Sequence, residues 1–319
     1  MAEPLATKLA VERIGDDEFL SKALPVRMGN VAPIAYGGST LGIAVNAALA
    51  TVPSTHRLYS LLGHYLGPAS IEQHLQCKVI RTRSTATFAT RRVEVRQAQK
   101  DGSLRLVLEI IADFQVIEEA KFTYNAKPLR TFASVADSKP DDEVGEALLA
   151  AGKITQKQLD IVRTSFAANR RHFETRIPPE SLSGQTYNGI AKGSTTQDHL
   201  DMTERASGDW VRSRDEQLSD NDQVTVLSFF MDGGLAFLPL AHSGMFLNEA
   251  GACSSLDIAL RLYQPKLDMR EWHFRERNST VAGHGRTYTE ARLWDEKGNV
   301  VASMTQQGIL RPKKVKASI

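Results

Sequence analysis

The sequence predicts an α+β fold made of two similar halves, each a curved antiparallel sheet wrapped around one buried helix. Three observations carry this expectation. A run of small and apolar residues, Ile43 to Leu49, follows a glycine-rich start and precedes four strand-like runs. The same order, an apolar helix and then strands, recurs from Val224 onward. Landmarks in the two halves also keep nearly one offset: the turn Lys297-Gly298-Asn299 lies 196 residues after Asp101-Gly102-Ser103, and Pro265 lies 197 after Pro68.

In the first half, Gly37-Gly38-Ser39 supplies a helix start, the residues from Thr40 to Leu49 are apolar or small on nearly every face, and Pro53 ends the helix. Strand-like runs cover 56–66, 72–83, 86–98 and 104–118, the last two joined by a turn at Lys100-Asp101-Gly102. Residues 129–170 read as a helical connector packed on the outside. Its stretch from Asp137 to Glu143 is acidic and holds Lys139-Pro140, and helical patterning over Glu143–Ala151 and Thr155–Ala168 is broken at Gly152. Residues 185–222 are polar, with Tyr187, Ile190, Met202, Trp210 and Val211 interspersed, and predict strands of the second half. A buried helix is expected from Val224 to Leu240, then strands at 252–263, 271–281, 285–295 and 299–310. The expected domains are 1–128, the connector 129–170, and 171–319. A sheet around a central helix is the hotdog arrangement, and two such sheets joined edge to edge leave fewer exposed edges.

Composition narrows the function classes. The 319 residues are 42 % hydrophobic and 24 % charged, enough for a large core. A balance of 39 basic against 37 acidic residues, formally +2, argues against a nucleic-acid partner. The run of Lys313, Lys314 and Lys316 reads as a solvated tail. Two cysteines, Cys77 and Cys253, without a CxxC pair, point to a reducing compartment. Residues 1–30 lack the apolar run of a signal peptide, no stretch of 18 apolar residues suggests a membrane span, and the final Ala-Ser-Ile is not a peroxisomal Ser-Lys-Leu signal. The expected location is therefore the cytoplasm. Eight histidines contain no HxxxH or HExxH pair, so neither a metal nor another cofactor is expected. Gly37–Gly42 lacks GKS, GxGxxG and GxSxG context, which leaves helix packing as its reading.

The chemistry is expected at the far end of the chain. Asp232 opens the apolar segment Asp-Gly-Gly-Leu-Ala-Phe-Leu-Pro-Leu, Ser255 lies in Cys-Ser-Ser-Leu-Asp, and Gln306 in Met-Thr-Gln-Gln-Gly. An acid at a buried helix start, with a hydroxyl and an amide on separate strands, can hold one hydrolytic water. Asp232 is the candidate base, with a pKa raised by its apolar surroundings. Ser255 and Gln306 orient the water or the carboxylate, and the Gly233 and Gly234 amides are candidates for the oxyanion. The first helix contains no acid from Gly37 to Val52, only Asn46, so one half is expected to supply the base.

These spacings resemble the type II acyl-CoA thioesterases, double-hotdog enzymes that cleave acyl-CoA to free acid and CoA. Tyr36-Gly37-Gly38 with its small-residue helix is similar to that family's Phe-Gly-Gly-Gln helix. Thr87-Phe88-Ala89-Thr90-Arg91-Arg92-Val93 is similar to its Ser-Phe-Ser-Ala-Arg-Arg-Val run. Glu271-Trp272, Gly285-Arg286, the Lys297–Asn299 turn and Gln306-Gln307-Gly308 are similar to its closing strands. The resemblance implies an acyl-CoA substrate and the trio Asp232, Ser255 and Gln306, with Ser255 in place of the family's Thr. Ser39 replaces the family's Gln, Ser60 replaces a His of bacterial members, and His64 stands where a small polar residue is usual. Arg91, Arg92, Arg286 and Arg311 are candidates for CoA phosphates. A homo-oligomer is expected, since both halves present long sheets able to pair back to back. The alternatives are a non-catalytic acyl-thioester-binding double hotdog and a hotdog hydratase. The latter carries a catalytic His five residues after its Asp, where this chain has Phe237.

Overall fold

A computed structural model describes residues 3–29 and 32–313; Lys314, Lys316 and the Ala-Ser-Ile end lie outside the described residues. The first half contains α1 (Leu5–Lys8), β1 (Val11–Gly15), β2 (Glu18–Ser21), α2 (Gly37–Leu49), β3 (His56–Tyr65), β4 (Gln76–Ser84), β5 (Phe88–Ala98) and β6 (Leu104–Val116). Next come β7 (Lys139–Pro140), α3 (Asp141–Ala150), α4 (Gln156–Ser165) and α5 (Ala167–His172). The second half adds β8 (Phe173–Ile177), α6 (Leu182–Gln185), β9 (Ala206–Ser213), α7 (Asp220–Met231), α8 (Leu238–His242), β10 (Ala250–Ser255), β11 (Asp257–Leu262), β12 (His273–Gly283), β13 (Arg286–Asp295) and β14 (Val300–Pro312).

All strands described belong to one 14-stranded antiparallel sheet in the order β1-β2-β4-β5-β6-β3-β11-β14-β13-β12-β9-β8-β7, with β10 also on β14. The order β4-β5-β6-β3 is mirrored by β12-β13-β14-β11, and the halves join where β3 pairs with β11, Leu61 opposite Leu260. This is the double hotdog that the sequence predicts.

The two central helices pack against each other in antiparallel fashion inside the curved sheet. A Cβ built on Gly38 would lie 2.5 Å from the Phe229 carbonyl oxygen, and one on Gly42 3.4 Å from that of Thr225. At Gly38 only glycine permits so close an approach of α2 to the α7 backbone, whereas at Gly42 the tight neighbour is the Leu9 side chain, 2.9 Å from a built Cβ. Tyr36, just before α2, donates its hydroxyl to Phe229 O at 2.8 Å, and its ring meets the Phe229 ring edge to face at 4.9 Å. α7 begins four residues earlier than the hydrophobic pattern suggests, because Ser219 and Asp222 form a capping box over polar residues. It also ends earlier: Gly233 and Gly234, the latter at φ +88°, break the expected helix, which resumes only at α8.

Other differences have similarly local causes. β1 and β2 escape sequence reading because β1 is an edge strand without a buried face. Within 185–222 only β9 is a strand; Tyr187 and Ile190 lie in turns whose apolar side chains pack on the connector. α3 and α4 form where expected, with Thr155 and Gln158 as a capping box and Gly152 at φ +67° between them. The connector is not confined to the outside, however: Leu159 and Val162 are buried, and Ile161, Phe166 and Arg170 line the main cavity.

Gly38→Ala should therefore lower stability by about 1–3 kcal/mol through overpacking, despite alanine's better helix propensity. Gly283→Ala, where a Cβ meets nothing within 4 Å, should change it by less than about 0.5 kcal/mol. Urea unfolding of the two variants compares them; equal midpoints would contradict the packing argument.

Candidate active site

The break after α7 places Asp232 at a helix C-terminus, not at the helix start that the sequence suggests. The helix start beside it is instead that of α2, in the other half. Asp232 is buried, 5 % exposed, and receives a backbone hydrogen bond from Gly38. Tyr65, at the end of β3, donates its hydroxyl to Asp232 Oδ1 at 3.1 Å, and Gln306 Nε2 donates to the same oxygen. The Ser255 hydroxyl donates to Gln306 Oε1 at 3.2 Å. Asp232, Gln306 and Ser255 thus form one hydrogen-bonded chain, in which Ser255 reaches the acid only through the amide.

Local strand geometry fixes this order. Gln306 is wholly buried on β14, facing the core, while Ser255 ends β10, where the chain crosses to β11 through Leu256. At that crossing Leu256 N donates to Gln307 O, Tyr65 N donates to Leu256 O, and the Asp257 carboxylate accepts from Gln307 N at 3.0 Å. One junction therefore sets Ser255, Gln306 and Tyr65 together.

Burial pushes the Asp232 carboxyl up to about 6, against the pull of the Tyr65, Gln306 and Gly38 donors. The same burial, and then the nearby carboxylate, hold the Tyr36 and Tyr65 hydroxyls well above the ordinary tyrosine range, so both stay protonated donors. Asp232, Ser255, Gly37 and Tyr65 open onto a cavity of about 1270 Å³ whose walls come from both halves and the connector. Part of it is apolar, with Met28, Ile34, Val107, Phe166, Phe237 and Phe246 among its lining.

Residues 24–115 match the family described as acyl-CoA thioesterase N-terminal domain, and residues 163–310 match acyl-CoA thioesterase C-terminal domain. The chain belongs to the acyl-CoA thioesterase family. It is 23 % identical over 305 residues to acyl-CoA thioesterase 2 of Haemophilus influenzae, covering 95 % of both chains. Among solved structures it resembles the acyl-CoA thioesterase II TesB2 of Mycobacterium marinum, with a TM-score of 0.69 and 20 % identity over 97 % of this chain and 98 % of that one. A tesB protein of Mycobacterium avium subs. paratuberculosis gives the same TM-score at 17 % identity, over 96 % and 97 % of the two chains. These structural likenesses bear on the fold.

Several residues that the sequence marked lie elsewhere or do other work. The Gly233 amide is not free for an oxyanion, because it donates to Phe230 O at 3.0 Å. Gly234 N–H makes no backbone hydrogen bond among the described residues, and neither does that of Gly37, which also lines the cavity. Arg91 is buried and committed to Thr51 and to the carbonyls of Arg83 and Thr90, while Arg92 is paired with Glu109 and Glu94. Arg286 and Arg311 remain exposed. Ser39 accepts from Val26 N at 2.9 Å and so anchors the N-terminal segment. Ser60, on the β3–β11 seam, does not line the cavity, and His64 is exposed. Among the described residues no cluster of three or more His, Cys, Asp or Glu could hold a metal, and no helix is long and apolar enough to cross a membrane.

Sequence reasoning missed Tyr65 and the Gly38 amide as partners of Asp232. Their only signals were the Tyr36-Gly37-Gly38 motif and a tyrosine at a strand end.

A carboxyl raised in the folded state binds its proton more tightly there, so its stabilising contribution is present below about 3.8 and is lost as pH rises through about 6. The stability difference between Asp232→Asn and wild type should hence move in the variant's favour between those values, by on the order of 1–3 kcal/mol. Urea titrations across that range measure it, and a difference that does not vary with pH would show that Asp232 has no raised pKa.

Proposed function

We propose that this acyl-CoA thioesterase works by direct hydrolysis, with Asp232 as the base that activates water. The observation that supports this most is a buried carboxyl held near 6, whose Oδ1 is occupied by Tyr65 and Gln306. Its other oxygen, against Gly37, is then the one to accept the proton of a water in the cavity. The Ser255 proton is given to Gln306, so Ser255 Oγ offers lone pairs to the second hydrogen of that water. As the water oxygen bonds to the carbonyl carbon, this reading assigns the growing negative charge to the Gly37 and Gly234 amides, which border the cavity without a backbone hydrogen bond among the described residues. The carbon–sulfur bond then breaks, and Asp232 returns its proton to the departing CoA sulfur.

Cys253 also lines the cavity, but burial pushes its thiol up to about 11, which leaves a negligible thiolate fraction near neutrality. A hydratase would need an imidazole near Asp232. Phe237 occupies the relevant position, and the nearest downstream histidine, His242, is bonded to Ser207.

We also read the chain as an N-terminal hotdog over 1–128, a connector over 129–170 and a C-terminal hotdog over 171–319 that carries Asp232, Ser255 and Gln306. Free Cys77 and Cys253 thiols suit a reducing compartment, of which the cytoplasm is the default. Self-association is supported by Leu62 and Ile111, which face solvent opposite one another on β3 and β6 at 47 % and 45 % exposure. Light scattering at micromolar concentration should give a dimer or larger; a monomer would refute that part.

Asp232→Asn should lower thioester hydrolysis by roughly 10²- to 10⁴-fold. Gln306→Ala and Ser255→Ala should cost less, and adding either to Asp232→Asn should change little further. The wild-type rate should rise with pH and level off above about 6. Thiol release from a panel of acyl-CoAs measures each; a folded Asp232→Asn enzyme of near-normal rate would refute the mechanism.

A further inference from the structure

One wall of the cavity is unlike the lining of a purely aliphatic acyl pocket. Asp209 on β9 and Arg275 and Arg277 on β12 all face it, and they are 2 %, 3 % and 6 % exposed. Arg275 Nη2 meets Asp209 Oδ2 at 2.9 Å, and Arg277 Nη2 meets Asp209 Oδ1 at 2.9 Å. Two buried guanidiniums therefore share one carboxylate, which leaves an excess of one positive charge. Burial alone would raise the Asp209 carboxyl, yet the two arginines hold it below its usual range, so the aspartate is ionised.

The two arginines are not equivalent. Arg275 is fully engaged: its other groups donate to the carbonyls of Phe230 and Gly233, and its guanidinium lies over the Phe230 ring at 3.9 Å. Arg277 spends only Nη2. Its Nε is buried without a partner, and its Nη1 has no hydrogen bond among the described residues. That Nη1 lies against Gly234, where a Cβ would come within 2.4 Å of it. Of the other acids that line the cavity, Asp141 and Asp142 are matched by Arg170 and Glu174 by Arg212. Burial, with Arg275 alongside, draws the Arg277 guanidinium down to about 10, as expected of a buried cation short of negative charge. Leaving a charged donor unpaired in a buried site is costly, whereas a ligand carboxylate would satisfy it by charge-assisted bonds.

We propose that Arg277 is a specificity residue that binds a carboxylate on the acyl chain, and that the preferred substrates are CoA thioesters of short dicarboxylic acids. This rests on the thioesterase reading of the cavity. Chain length follows from position: Gly234 is two residues from Asp232, so the Arg277 Nη1 against Gly234 stands within roughly 10 Å of the Asp232 backbone, beside which the thioesterase reading puts the reacting carbonyl. The Arg275–Asp209 pair that remains without Arg277 is neutral, which makes Arg277→Met a tolerable substitution.

The test compares hydrolysis of glutaryl-CoA with length-matched pentanoyl-CoA, together with thermal shifts by free glutarate and pentanoate, which need no turnover. Wild type should prefer glutaryl-CoA in kcat/KM, and Arg277→Met should lower the glutaryl-to-pentanoyl ratio by about ten- to a hundredfold. Glutarate, but not pentanoate, should raise the Tm of wild type, and the variant should lose that shift. A wild-type ratio at or below one, a ratio unchanged in Arg277→Met, or a preference for 3-hydroxybutyryl-CoA over glutaryl-CoA would overturn the proposal while leaving the thioesterase reading intact. No thiol from any acyl-CoA would instead overturn the thioesterase reading, and the glutarate shift would still decide the anion site. If Arg277→Met does not fold, the wild-type ratio and shift decide alone.

Discussion

The contact between α2 and α7 is the constraint on which the remaining geometry depends. Two buried helices can lie this close only if the backbone carries no side chain at the point of contact, and Gly38 provides that on α2. Because the helices run antiparallel, the C-terminal end of α7 falls beside the N-terminal end of α2. Asp232 therefore meets the Gly38 amide, Tyr36 and Tyr65, all from the other half of the chain. Neither half contains the whole site, although the second supplies the acid, the amide and the hydroxyl.

The same burial sets the chemistry. An aspartate in water is a weak base near neutrality because it ionises too readily. Desolvation at 5 % exposure outweighs the Tyr65, Gln306 and Gly38 donors and lifts Asp232 to about 6, a cost on the order of 3 kcal/mol in the ionised form. Donors and desolvation oppose each other here. Too many donors would return the group to an ordinary carboxylate, and none would leave it protonated at working pH. Tyr65 and Gln306 also orient the group, so part of their hydrogen-bonding energy goes into geometry and not into lowering the pKa.

A second balance of burial and charge lies a few residues away. β12 is covered on both faces: its outward Phe274 and Glu276 are packed under the 117–138 segment, with Phe132 on the ring and the Leu129 and Arg130 amides on the carboxylate. Its inward Arg275 and Arg277 consequently project toward α7 and the cavity. A buried trio of two cations and one anion is costly as a stability device. It makes physical sense where something anionic completes it.

The sequence by itself determined the repeat, the succession of a buried helix and then strands in each half, the small-residue nature of α2, and the three side chains that prove to be hydrogen-bonded to one another. These are carried by local pattern: period, turn residues and spacing. The pairing of the first strand with the last, and the break of 252–263 into β10 and β11, came only with the fold. The sequence did not determine which helix end faces Asp232, since Gly233 and Gly234 read equally well as a helix start or a helix break, and only packing against α2 decides between them. Nor did it mark Tyr65, the Gly38 amide or the Asp209–Arg275–Arg277 trio. An arginine in a strand is ordinarily a solvated surface residue, and the burial of this pair depends on β9 and the end of α7, some 40 to 70 residues away in the chain. Arg91, expected at a phosphate and found locked under Thr51, shows the same limit. Charge and hydrogen-bonding capacity are written in the residues, while burial, which sets the energy of both, is a property of the assembled fold.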